Sequence, residues 1–148
     1  MISVGEKAPD FSLPDHQGQL VSLSDFSGGR LLIVFYPLDF SPICNDQLTA
    51  YKEISGELEG AGVTLVGISV DSAFAHKAFR DHAGVDHSLL ADFEPKGAVA
   101  SAYGAYLEDY GHANRSLVLI DGDGVVEWVH ESETPLVIPP ASLILEAI

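Results

Sequence analysis

The residues best placed to do chemistry surround a single cysteine, in the segment Tyr36-Pro37-Leu38-Asp39-Phe40-Ser41-Pro42-Ile43-Cys44-Asn45-Asp46-Gln47. An apolar run ends at Pro37, and a short loop leads into a stretch with helical spacing. Ser41 is a good N-cap, and Pro42 suits the first helical position because its missing N–H would be unpaired there anyway. Cys44 then falls in the first helical turn, where free backbone N–H groups and the positive end of the helix dipole concentrate. Such a setting favours thiolate over thiol, and thiolate is the nucleophile. Ser41, Cys44 and Gln47 lie roughly along one side of the helix. A lone cysteine is more commonly a small buried hydrophobe, and the residue types alone leave both readings open.

Other chemistry is sparsely represented. The six histidines (His16, His76, His82, His87, His112 and His130) form no H-x-x-x-H pair and no Cys/His cluster, so they read as surface or structural. Asp121-Gly122-Asp123-Gly124 begins like a calcium loop, but the twelfth position is Ser132 rather than Glu, and a hairpin turn is the better reading. No Gly-x-Gly-x-x-Gly or P-loop is present. We therefore expect no metal and no cofactor.

The elements that must position the cysteine are legible from periodicity. Leu31 to Tyr36 is a continuous apolar run, the pattern of a strand buried on both faces, and Val63 to Val70 reads as a second buried strand. Residues 42–60 read as one helix, with Ile43, Leu48, Tyr51, Ile54 and Leu58 at roughly helical spacing and Gly60 and Gly62 ending it. Phe11 to Leu13 and Gln19 to Ser22 read as an N-terminal hairpin. A helix follows from about Ser72 to His82, then a short strand at Ser88 to Leu90 and a short helix from Gly97 to Tyr103. Ser116 to Ile120 and Val125 to Val129 flank the Asp-Gly turn, and Ala141 to Ile148 reads as a terminal helix. Strand, helix, strand, then helix and antiparallel hairpin predict an α/β fold with a central mixed β-sheet flanked by helices.

Length and charge bound the rest. The chain of 148 residues suits one domain spanning 1–148, and 47% apolar with 20% charged residues fits a folded protein. The formal charge is −15, with 3 bases and 10 acids in residues 1–75 and 4 bases and 12 acids in residues 76–148. This diffuse acidity lacks the clustered Lys and Arg that phosphate backbones require, so neither nucleic acid nor an anionic membrane is an expected partner. One cysteine excludes an intrachain disulfide and a C-x-x-C pair. An unpaired thiol suits a reducing compartment, and the first residues show no secretory pattern, so the expectation is cytoplasmic.

Four segments together resemble the peroxiredoxin family. Pro37-x-x-x-Ser41-x-x-Cys44 after a buried strand resembles its active-site motif, Pro-x-x-x-Thr/Ser-x-x-Cys. Ala8-Pro9-Asp10-Phe11 resembles the family's opening, Gly67 to Asp71 its second core strand, and Arg115 to Asp121 the strand carrying its active-site arginine. The resemblance implies a thioredoxin-like fold with an N-terminal extension. It implies that Cys44 is the peroxidatic nucleophile, that the Ser41 hydroxyl hydrogen-bonds thiolate and peroxide, and that Pro37 shields the thiolate. Arg115 would hold thiolate and peroxide oxygens, and Gln47 would orient the arginine. The implied substrates are hydrogen peroxide and alkyl hydroperoxides, and the implied assembly is a homodimer.

The departures from the family pattern also inform. Where some relatives carry a resolving cysteine five residues after the peroxidatic one, this chain has Thr49, and no second cysteine occurs elsewhere. The chain thus resembles one-cysteine peroxiredoxins of the bacterioferritin-comigratory and alkyl-hydroperoxidase-E types, reduced by an external thiol: thioredoxin, a glutaredoxin-type protein or a low-molecular-weight thiol. The tail from Glu131 to Ile148 matches no pattern. The competing reading is a non-catalytic thioredoxin-like module whose cysteine senses redox state. A thioredoxin-type disulfide reductase is disfavoured because Gln47 stands where C-x-x-C needs cysteine.

Overall fold

The computed structural model describes residues 1–148. Strands β1 (Ser12–Pro14) and β2 (Leu20–Ser22) form the N-terminal hairpin, and β3 (Arg30–Phe35) leads into helix α1 (Pro42–Lys52). Helix α2 (Ser55–Gly60), β4 (Val63–Ser69), α3 (Ala73–Ala83) and β5 (Ser88–Ala91) follow. Then come α4 (Ala98–Ala102), a two-residue hairpin of β6 (Tyr106–Leu107) and β7 (His112–Ala113), β8 (Ser116–Ile120), β9 (Val126–Glu131) and α5 (Ala141–Ala147).

Five strands form the central sheet in the order β5-β4-β3-β8-β9. β3 pairs parallel to β4 and β4 parallel to β5, whereas β8 runs antiparallel to β3 and to β9. The sheet is mixed, as the order of elements predicts. The turn at Asp121–Gly124 joins β8 to β9, and the Asp121 carboxylate accepts the backbone N–H groups of Asp123 and Val125. Its acid therefore serves the turn.

The continuous apolar runs follow from two cores. Leu31, Ile33 and Phe35 of β3, with Val66, Ile68, Val118 and Ile120, pack on one face beside the N-terminal segment, Ala100 of α4 and Tyr103 just after it. Leu32 and Val34, with Leu65, Leu117 and Leu119, pack on the other face beneath Cys44, Leu48 and Tyr51 of α1, Phe79 of α3 and Ile144 of α5. Alternate residues of each inner strand feed opposite cores, so Leu31 to Phe35 and Leu117 to Ile120 are apolar without a break, while β4 admits the exposed Thr64 near its start and Ser69 at its end. Gly67 supplies the clearance on the α1 side: a Cβ there would sit 2.8 Å from Leu89 Cδ2 and 3.1 Å from Tyr36 Cε1.

The single helix expected over 42–60 is two. α1 ends at Lys52, and α2 starts at Ser55. The Ser55 hydroxyl donates to the Lys52 carbonyl at 2.6 Å, and the Ile54 N–H bonds Tyr51. Serine competing for backbone carbonyls in this way disrupts helices. The apolar positions Tyr51, Ile54 and Leu58 still reach one core, which is why the periodicity runs through the break.

Candidate active site

The site forms where β3 ends. Phe35 pairs with Ser116, so Arg115, one residue earlier on the neighbouring strand, lies at the edge from which the chain leaves β3 toward α1. Pro37 opens that loop and is buried. Ser41 caps α1, its Oγ accepting the Cys44 N–H at 3.3 Å, and Pro42 takes the first helical position. Cys44 is thus in the first turn, and its side chain is fully buried.

Of the residues named from the sequence, Arg115 reaches that sulfur and Gln47 holds Arg115. Nη1 of Arg115 donates to Cys44 Sγ at 3.2 Å and to Gln47 Oε1 at 2.7 Å. Arg115 Nε donates to the Pro135 carbonyl at 2.6 Å. Cys44, Gln47 and Arg115 are all essentially excluded from solvent. An always-charged guanidinium held in low dielectric by neutral acceptors is a concentrated positive site. Here it faces the only thiol in the chain.

The sequence reading overlooked two groups of residues. Tyr51, one turn beyond Gln47, accepts the Gln47 Nε2–H at 3.2 Å and donates to the Pro139 carbonyl at 2.6 Å. Pro135 and Pro139 belong to the tail that matched no pattern, and that tail closes over the site. Only the i, i+3, i+7 spacing of Cys44, Gln47 and Tyr51 hinted at Tyr51, and it reads equally as core packing.

The second group pins the loop. Asp39 is buried, with Oδ2 2.7 Å from Nδ1 of the fully buried His76 and Oδ1 accepting the Tyr36 hydroxyl at 2.6 Å. The other ring nitrogen of His76 donates to the Leu90 carbonyl at 2.9 Å. The Asp39 N–H donates to Asp71, which also accepts from Ser69. Burial, and after it the Asp39 carboxylate, hold the Tyr36 hydroxyl well above its ordinary value of 10.0, so it remains a donor. Burial raises Asp71 above its ordinary 3.8, against the hydrogen bond from Ser69. Asp39, Asp71 and His76 place three potential metal-ligand atoms within 4.8 Å of one another. Protein donors and acceptors already engage them, so the cluster works as a hydrogen-bonded anchor. Next to it, Phe40 takes φ 66°, a left-handed conformation uncommon for a bulky residue, and rests edge-on against Phe79 with ring centroids 5.3 Å apart.

The site can therefore hold a sulfur nucleophile and an adjacent developing negative charge. The comparisons agree with that chemistry. Residues 4–129 match the family described as AhpC/TSA. The alkyl hydroperoxide reductase E of Mycobacterium tuberculosis is 38% identical over 129 residues, covering 86% of this chain and 84% of that one. A putative peroxiredoxin bcp of Coxiella burnetii is 34% identical over 134 residues, covering 86% and 87%. The crystal structure of the peroxidoxin BcpB from Mycobacterium tuberculosis superposes with a TM-score of 0.87 at 26% identity, over 99% of this chain and 96% of that one. Enterococcus faecalis AhpC gives 0.89 at 26% identity, over 99% and 90%. These structural neighbours carry the thioredoxin-like fold that the resemblance implied. The chain belongs to the AhpC/TSA family, the peroxiredoxins.

Proposed function

We propose that the protein is a thiol-dependent peroxidase that reduces hydrogen peroxide and alkyl hydroperoxides. The observation that carries this is the contact between the buried Arg115 guanidinium and the lone Cys44 sulfur. The Cys44 thiolate attacks one peroxide oxygen; an S–O bond forms, the O–O bond breaks, and the second oxygen leaves as hydroxide or alkoxide. Donors aimed at that leaving oxygen lower the barrier without reorganising. Arg115 is the first of them, and its Nη2 makes no hydrogen bond within the chain, which leaves it free for the peroxide. The Ser41 hydroxyl, whose lone pair takes the Cys44 N–H, still has its proton to donate. Pro37 limits water at the sulfur, and Gln47 fixes the guanidinium.

The product is Cys44 sulfenic acid. An external thiol attacks that sulfur, releases water and leaves a mixed disulfide, and a second thiol then frees Cys44 as the pair is oxidised to a disulfide. Thioredoxin, a glutaredoxin-type protein or a low-molecular-weight thiol would supply those electrons. A redox-sensing module without turnover would have no need of a desolvated guanidinium at the sulfur. We place the protein in the cytoplasm because an unpaired thiol suits a reducing compartment. A homodimer fits the exposure of Leu38 and Phe40 beside the site. At a charge of −15 such a dimer would weaken at low salt, which sedimentation at two ionic strengths would detect.

Stopped-flow fluorescence of Trp128, which packs against the same core as Cys44, measures the oxidation step. The expected rate with hydrogen peroxide far exceeds that of free cysteine. A rate no greater than free cysteine would overturn the peroxidase reading.

A further inference from the structure

Gln47 is fully buried, and its carboxamide has a donor end and an acceptor end. Which end faces Arg115 depends on what the other end meets. That partner is the Tyr51 hydroxyl, 3.2 Å from Nε2. A hydroxyl could donate or accept there, and a donating one would turn the amide oxygen away from Arg115. The Tyr51 proton is already committed, because the Pro139 carbonyl 2.6 Å away can only accept. Burial pushes the Tyr51 hydroxyl up to about 12, with Gln47 and Arg115 acting in the opposite direction, so the proton is present at neutral pH. Toward Gln47, Tyr51 therefore offers only a lone pair. The amide nitrogen takes it, and the amide oxygen is left for the guanidinium.

We propose that Tyr51 is a positioning residue of the peroxidase site, fixing the Gln47 carboxamide so that its oxygen holds Arg115 against Cys44. This inference rests on the peroxidase reading of Arg115 and Cys44. The relay runs from Cys44 Sγ through Arg115, Gln47 and Tyr51 to Pro139, and Arg115 Nε also binds the same tail at Pro135. Both tail carbonyls lie beyond the segment that matches the family, residues 4–129. The setting of the arginine thus depends on a segment C-terminal to the matched residues.

The test is a double-mutant cycle on the full chain with Tyr51→Phe, Gln47→Ala and the two combined. Tyr51→Phe keeps the ring in the core and removes only the hydroxyl. Each variant is followed by oxidation of Cys44 with hydrogen peroxide and, separately, by its alkylation with iodoacetamide. The alkylation needs no peroxidase activity. Tyr51→Phe is expected to slow oxidation about three- to tenfold, the scale of one hydrogen bond. The double variant should be no slower than Gln47→Ala alone, since Tyr51 acts through Gln47. Alkylation should show the same non-additivity. Losses that multiply in the double variant would overturn the proposal, as would a Tyr51→Phe rate within about twofold of the unmodified protein. If the unmodified protein oxidises no faster than free cysteine, the peroxidase reading fails instead, and the alkylation cycle still decides whether Tyr51 sets Gln47.

Discussion

Arg115 Nη1 stands 3.2 Å from Cys44 Sγ, joining the edge of β8 to the first turn of α1. Both groups are buried, so their interaction is little screened by solvent. Arg115→Ala should slow peroxide reduction about 10²–10³-fold, the usual loss for one preorganised donor. It also strands Gln47 Oε1 and the Pro135 carbonyl, at about 1–3 kcal/mol for each buried acceptor. Arg115→Lys should recover little, because one ammonium on a flexible stem cannot reproduce the fork that serves sulfur, amide and carbonyl together. Full activity in Arg115→Ala by competition against a reference peroxidase would show the strand to be misassigned.

The loop between Pro37 and Ser41 should be held more strongly by its aspartate than by its cap. Ser41→Ala removes one acceptor for the Cys44 N–H and should cost about 1 kcal/mol, together with a large loss of rate. Asp39→Ala leaves His76 Nδ1 and the Tyr36 hydroxyl without their shared carboxylate in the core. Breaking a buried pair in this way costs about 3–5 kcal/mol. Urea unfolding of the two variants side by side checks the order, and equal midpoints would mean that the anchor contributes little.

How much could be read from the chain alone depended on whether the information was local. β3, β4 and β8 were legible because strands feeding two cores are apolar at nearly every central position, and α1 was legible because Ser41 and Pro42 announce its start. Arg115 was found through resemblance, since an arginine among so many acids otherwise reads as a surface ion-pair partner. β6 and β7 escaped because two residues carry no period. Tyr51, Asp39, His76 and the tail escaped for a different reason. Their roles rest largely on hydrogen bonds between residues distant in sequence, 37 positions for His76 with Asp39 and 88 for Tyr51 with Pro139, and a backbone carbonyl acceptor leaves no signature in side-chain pattern.

His87 predicts a pH effect on stability. Its ring is largely buried, its Nε2 has no hydrogen-bond partner, and burial depresses it below its ordinary value of 6.5; Asp86 opposes that shift, while Arg80 and Lys52 add to it. The folded chain therefore resists a proton that the unfolded chain accepts. The associated stability is present above 6.5 and is lost as pH falls from there toward the folded value. Falling pH also relieves repulsion among the acids, so the comparison must be against His87→Gln. Between neutral pH and about pH 5, the unmodified protein should lose stability relative to that variant. Parallel thermal-stability profiles for the two proteins would contradict this.

Oxidised Cys44 should have no route home within its own chain. It is the only thiol, so no intrachain disulfide can form, and its sulfur is fully covered, so a bulky partner must wait for the site to open. Sulfenic acid should persist until an external thiol reaches it, and turnover should stop after one equivalent of peroxide when thiol is withheld. Further peroxide then meets a sulfur still facing Arg115, and drives it to sulfinic and then sulfonic acid, which a thiol does not reverse. Mass spectrometry of the intact chain under graded peroxide should show one added oxygen, then two, then three, with activity lost at the second. A bridge between the Cys44 residues of two subunits would require two buried sulfurs to emerge and meet, whereas oxidation in place requires only that peroxide enter. A quantitative disulfide-linked dimer without oxygen adducts would reverse that ordering and show that the partner subunit resolves the sulfenic acid.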